Sequence, residues 1–239
     1  MARTPAEVVE LASSAGTLGE LCARQSVCRA CDRLVAWREK VAVERRKAFE
    51  DEQYWGRPIP GWGDPDPKLL IVGLAPAANG GNRTGRIFTG DPSADWLFAS
   101  LHRVGLAARP DSVRAGDGQR LLGARMLPAV RCAPPDNKPT PAERDACRPW
   151  LSRELSFVRP RVIVVLGAFG WQALWPAFTA LGVEVPRPRP KFGHGAEATV
   201  GGMLLMGCFH PSPHNTYTGR VTAAMYDELF TRAKAAAGL

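Results

Sequence analysis

Six cysteines stand at positions 22, 28, 31, 132, 147 and 208. Cys28 and Cys31 form a C-x-x-C pair, the local shape of a chelate or of a redox dithiol, although a chance pair reads the same way. Cys132 closes an apolar run, and Cys147 follows in the next helical pattern. Two such local pairs can converge on one tetrahedral site. Thiolates suit zinc and an iron–sulfur cluster equally, so residue type leaves the metal open. Cys208 lies inside an apolar run and reads as core. Cys22 competes with Cys28 as a ligand, but CRAC is the tighter unit.

A second candidate is GLAPAANGGNRTGRIFTGD, residues 73–91, a polar stretch with four glycines after Gly73. Glycine lets a ligand approach backbone amides closely. The stretch is no Walker phosphate loop, because no GK[ST] follows the required gap. It can wall a pocket with backbone N–H groups and offer Phe88 as a stacking surface. Arg83 and Arg86 can face phosphates. The competing reading is a plain crossover loop. A third candidate is HPS at 210–212, where His210 can act as a general acid or base.

These residues need a scaffold. Four apolar runs, KLLIVGLAP (68–76), ARMLPAVRC (124–132), RVIVVLG (161–167) and MLLMGCFHP (203–211), read as strands. Three are continuous, as in strands buried on both faces. Pro128 predicts an irregularity or an edge in the second. Helical patterns fall near 92–104, 140–157, 168–181 and 221–236, and a long charged helix is expected over 32–52. Residues 1–20 are weakly patterned, a loose tail or a short helix. Residues 107–123 and 183–199 read as loops or short irregular strands. Alternating strands and helices predict one α/β domain, three layers deep, around a mainly parallel four-stranded sheet. Ligands of such sheets bind outside the carboxyl ends of the strands. Four segments meet there: residues 73–91, APPDNKPT, GAFG and HPSPHNTYTGR.

The chain has 239 residues, with 31 Lys plus Arg against 23 Asp plus Glu, a formal net charge of +8. That excess favours a polyanionic partner, most simply nucleic acid. A hydrophobic content of 45% and a charged content of 23% are those of a globular protein rather than a disordered one. No stretch approaches the ~20 apolar residues of a membrane span. The start lacks a signal-peptide pattern, so a cytosolic protein is expected, with thiols reduced.

Taken together, CRACDRLVAWRE, YWGRPIPGWGD, GLAPAANGGNRTGRIFTGD, AVRCAPPDNKPTPAERDACRPWL, VIVVLGAFG and HPSPHNTYTGR resemble the uracil-DNA glycosylase superfamily, most closely its family 5 branch. The resemblance runs from about Cys28 to the C-terminal helix. It implies an α/β/α fold and a [4Fe–4S] cluster on Cys28, Cys31, Cys132 and Cys147. It implies cleavage of the N-glycosidic bond of uracil in double-stranded DNA, with hypoxanthine and other deaminated bases accepted. A monomer working with the bacterial nucleoid is expected.

The resemblance has departures. Relatives outside the branch place an Asp, Asn or Glu in the first motif to position water. Here that region offers Ala77 and Ala78, a loss the branch shares. Many members have His where Asn79 stands. Pro128 occupies the position of a base-reading Asn found in other branches, and Asn137 is expected to take over part of that work.

The expected roles follow. The flipped base stacks on Phe88, with backbone of Gly73, Ala75, Ala77, Ala78 and Asn79 reading its polar edge. His210 donates to the base oxygen that gains charge, and Asn82 or Asn137 orients water. Arg83, Arg86 and Lys138 meet phosphates. Loop 212–220, with Ser212, Tyr217 and Arg220, enters the minor groove. Two other classes compete. A non-catalytic zinc-containing DNA-binding protein explains the charge and the cysteines but not the four loops at one sheet edge. A small-molecule α/β hydrolase lacks its G-x-S-x-G elbow.

Overall fold

The structure is a computed structural model that describes residues 1–239. Its centre is a sheet built from β1 (Trp62–Gly63), β2 (Leu69–Gly73), β3 (Ala124–Pro128), β4 (Val162–Leu166), β5 (Glu197–Val200) and β6 (Met203–Cys208). The order across the sheet is β1-β3-β2-β4-β6-β5. The four expected strands form its parallel middle, and β1 and β5 add antiparallel edges. Both additions are short. Trp62–Gly63 sits in a Pro/Gly-rich stretch, and Glu197–Val200 is half-exposed and polar. Neither carries the apolar run that announces a strand.

Alternate residues of each middle strand point to opposite faces. Leu69, Ile71, Met126, Val162, Val164 and Met206 join one core with α5 (Pro92–Arg103) and α9 (Ala223–Ala237). Leu70, Val72, Leu127, Ile163, Val165 and Leu205 join the other with α6 (Pro141–Val158) and α7 (Ala168–Ala180). Burial on both faces explains why the runs are continuous. Pro128 ends β3 beyond the two residues that pair with β1, so its missing N–H costs no ladder bond there.

The N-terminal residues are not a loose tail. Thr4 and Thr17 cap α1 (Pro5–Ser13) and α2 (Leu18–Gln25), and Val8, Ala12 and Leu21 are buried against Cys132, Cys147 and Trp150. The charged helix α3 ends early, at Asp32–Glu44, where Arg45 takes φ 51°. A single 3-10 turn at Lys47–Phe49 follows.

Strand β2 connects onward to one side of the sheet and β4 to the other. The order therefore reverses between them. A crevice opens outside the carboxyl ends at such a reversal, and that is where Gly73, Gly167 and His210 emerge.

Candidate active site

A cavity of about 240 Å³ lies at this edge. Its walls come from loop 74–91 (Leu74, Ala75, Ala77, Ile87, Phe88, Asp91), from Ser93, from Asn137, and from His210, Ser212 and Pro213. Three of the four segments expected at the sheet edge thus meet in one space.

Phe88 is 5% exposed and takes φ 50°, a rare conformation for a bulky residue. Gly73 makes room for it: a Cβ at position 73 would lie 2.7 Å from Phe88 Cε2. Gly73 therefore lies beneath the Phe88 ring rather than on the cavity surface. The His210 ring stands beside Phe88, with centroids 5.8 Å apart. Burial pulls the His210 imidazole down to about 4, so it is neutral near pH 7. Its backbone carbonyl accepts from Asn215 Nδ2 at 2.8 Å, which anchors the start of α8 (Pro213–Tyr217) to the strand end.

Asn137 ends a short 3-10 turn, Pro135–Asn137, with φ 54°, a left-handed position that Asn tolerates well. The next helix, α6, opens with a capping box between Thr140 and Glu143, and Arg33 pairs with Glu143 at 2.7 Å. That bracing holds the NKPT segment at the cavity mouth.

Asp91 is the residue the motifs did not single out. It caps α5, with Oδ1 accepting from the backbone of Ser93 and Ala94 at 3.0 Å each. Burial raises its carboxyl above the ordinary carboxylate range. The space that a side chain on Gly80 would fill belongs to Asp91 Oδ2. The D-P-S start of a helix was a visible signal, but it reads first as a cap. Only the fold turns this cap toward a cavity.

A side cavity of about 360 Å³ shares Ala77, Asp91 and Asn137 with the first, and is further lined by Trp37, Arg46 and Phe49. Ala78 and Asn79 face this side cavity and not the first. Asn79 Oδ1 accepts from Tyr54 Oη at 2.9 Å.

Three further expectations are corrected. Asn82 is fully buried, and its Nδ2 donates to the Arg38 carbonyl at 3.1 Å, so it reaches no water at the cavity. Arg83 is buried over the Phe49 ring; it donates to the carbonyls of Asn79 and Gly90 and pairs with Glu52. Arg86 is buried against Thr89, Ser112 and Asp117. Both arginines are spent inside the loop and brace it instead of meeting phosphates.

Lys138, Tyr217 and Arg220 are exposed. Tyr217 is 84% exposed at the end of α8, and Ser212 caps that helix by accepting from Asn215 N at 3.4 Å. The Arg220 guanidinium lies 4.6 Å from the Phe209 ring centroid.

Cys28, Cys31, Cys132 and Cys147 line one small apolar cavity together with Val8, Leu34, Val35, Val130 and Trp150. Cys208 lies in the sheet core, and Cys22 sits 3.7 Å from Arg125 Nη2.

Residues 60–234 match the model of the uracil DNA glycosylase superfamily. The type-5 uracil-DNA glycosylase of Mycobacterium tuberculosis (strain CDC 1551 / Oshkosh) is 55% identical over 232 residues, 96% of this chain and 85% of that protein. The type-5 uracil-DNA glycosylase of Mycobacterium leprae is 53% identical, over 96% of this chain and all of that protein. The Thermus thermophilus enzyme of the same name is 48% identical over 90% of this chain and 95% of that protein. An aromatic ring, a neutral imidazole and a helix-capping Asp at the carboxyl edge of a parallel sheet thus accompany full-length similarity, and the chain belongs to the uracil-DNA glycosylase superfamily, in its type-5 branch.

Proposed function

We propose that the protein is a monofunctional DNA glycosylase that releases uracil, and other deaminated bases such as hypoxanthine, from double-stranded DNA. The observation that carries this is the cavity in which Phe88, His210, Asp91 and Asn137 meet.

A base inside a duplex must first be flipped out, at a cost of a few kcal/mol that a mismatch reduces. Tyr217 is the wedge best exposed to fill the gap, and Lys138 and Arg220 are cations free to approach phosphates. The flipped base stacks on Phe88. Breaking the glycosidic bond leaves negative charge on the base and positive charge on the sugar. Neutral His210 donates an N–H to the base oxygen that gains charge; one such preorganised donor is worth ~3–4 kcal/mol. The Asp91 carboxylate opposes the positive charge on the sugar. Asn137, where the two cavities join, orients the water. The water oxygen bonds to the sugar carbon as the carbon–nitrogen bond breaks; one water proton stays on the new hydroxyl and the other passes to the departing base anion. Ala77 offers no base to this water, which suits a bond that breaks largely before water attacks.

A bifunctional enzyme would need an amine for a Schiff base. The NKPT segment supplies Lys138, which is exposed and lacks the apolar shell that activates such a lysine.

Cys28, Cys31, Cys132 and Cys147 would hold a [4Fe–4S] cluster. Four thiols around one apolar cavity support this reading. A single zinc ion would need the same sulfurs ~2.3 Å from one point, and iron content of the purified protein separates the two readings. The cluster would cross-link the N-terminal helices to β3 and α6, and excision requires no electron transfer.

The test is a panel of duplexes carrying uracil, hypoxanthine or xanthine. Free base, an alkali-labile site and an otherwise intact strand are expected. A borohydride-trapped adduct lost in Lys138→Ala overturns the monofunctional assignment, and no release of any base overturns the whole.

A further inference from the structure

Arg38 is a cation with no part in base excision as derived above. It lies on α3 at 2% exposure, and the nearest carboxylate, on Glu39, is 3.9 Å away. A guanidinium buried without acceptors is costly. Its Nη1 donates to Cys132 Sγ at 2.8 Å, and its Nη2 donates to the Cys28 carbonyl at 3.0 Å. One side chain thus bridges two cysteines that lie far apart in the sequence.

The Arg38 backbone continues the connection. Its carbonyl accepts from Asn82 Nδ2. Asn82 is fully buried, its N–H donates to the Ala77 carbonyl at 3.0 Å, and its own carbonyl accepts from Gly56 N at 3.0 Å. Ala77 is a wall of both cavities. A continuous path therefore runs from Cys132 through Arg38 and Asn82 to the base cavity.

We propose that Arg38 and Asn82 are positioning residues that tie the four-cysteine centre to the base cavity, so that a filled centre holds the Ala77 wall in place. The inference rests on the reading of that centre as an iron–sulfur cluster. A metal-bound thiolate is anionic, and a charge-assisted bond from Arg38 is about twice as strong as a neutral one. Hydrogen bonds to ligating sulfurs also set cluster potential. Outer-shell partners of a metal ligand typically carry ~10–100-fold in metal retention. Arginine suits the place because its rigid fork reaches a sulfur and a carbonyl at once.

The test compares wild type, Arg38→Met, Arg38→Lys and Asn82→Leu, with Asn82→Ser as the milder form of the last. Iron release to a chelator, cluster reduction potential and single-turnover uracil excision are measured on protein that melts cooperatively. Arg38→Met should release iron ~10-fold faster or more, with a more negative potential, and excise more slowly. Arg38→Lys should fall between it and wild type. The Asn82 variants should keep wild-type iron release and potential but excise about tenfold more slowly, with DNA affinity little changed. Arg38→Met combined with Asn82→Leu should be no slower than the slower single variant, as for two members of one path. Iron-replete wild type with unchanged release in Arg38→Met overturns the inference alone, as does wild-type excision by both Asn82 variants. Wild type that retains no iron after anaerobic reconstitution overturns the cluster and the inference together.

Discussion

Phe88 and His210 come from loops after different strands, yet their ring centroids stand 5.8 Å apart with planes inclined by 36°. A ring stacked between them would need ~3.5 Å on each side. A base stacked on Phe88, as proposed, would therefore meet His210 at its rim, where a donor reaches a carbonyl oxygen. The adjacency of β2, β4 and β6 makes this pair, since β2 leads to Phe88 and β6 ends just before His210.

Gly73→Ala tests the support under Phe88. The new methyl meets Phe88 Cε2 at 2.7 Å, and the ring is already held at φ 50°. Displacing it should slow uracil excision ~100-fold, in line with a misplacement of about 1 Å, while melting changes far less. Single-turnover kinetics beside calorimetry read both; unchanged excision would show that Phe88 is not the platform.

His210→Asn should slow base release ~10²–10³-fold, as for loss of one oxyanion-type donor, with DNA affinity little changed. The same variant carries a stability test. The His210 pKa falls from 6.5 to about 4 on folding, so between those values the unfolded chain binds more protons. Wild type should lose stability as pH drops through that window, by at most ~3 kcal/mol from this group. Denaturant curves at pH 7 and pH 4.5 should show a smaller loss in the variant.

Asp91 carries a carboxyl whose pKa burial raises. Its charge is present above that pKa and is lost as pH falls through it. Excision should therefore drop on the acid side at a pH above the ordinary carboxylate value. Asp91→Asn keeps a cap for α5, lowers the rate ~10²-fold or more by the scale of one electrostatic contact, and removes the acid limb. A pH–rate profile that keeps its acid limb in the variant assigns the limb elsewhere.

The cysteines separate by place. Cys132→Ser should strip iron from the protein and lower its melting temperature, because the centre joins α1, α2 and α3 to β3 and α6. Cys208→Ser should keep full iron, since its thiol faces the sheet core. Iron per chain, measured after anaerobic purification, distinguishes them; full iron in Cys132→Ser would sink the four-cysteine assignment.

Much of this protein was legible from its chain alone. Four runs of apolar residues named the parallel strands, because a strand buried on both faces can carry no alternation. The polar and glycine-rich segments at the strand ends pointed to one edge of the sheet, and three of them line a common cavity there. Phe88 and His210 stand out on those grounds and Asn137 on the family resemblance, and all three line the cavity. What failed depended on direction in space. Asn82, Arg83 and Arg86 sit in the right loop, yet a short helical turn at Gly81–Thr84 and its neighbours point them inward, where Arg38, Glu52 and Asp117 receive them. Asp91 is no more than the last residue of the stretch 73–91 in sequence, and only the fold lays its helix start against the strand ends. Residue type follows from the gene, and strand burial follows closely from residue type. Which side of an irregular loop meets a cavity is set by contacts among distant segments, and only the tertiary structure decides that.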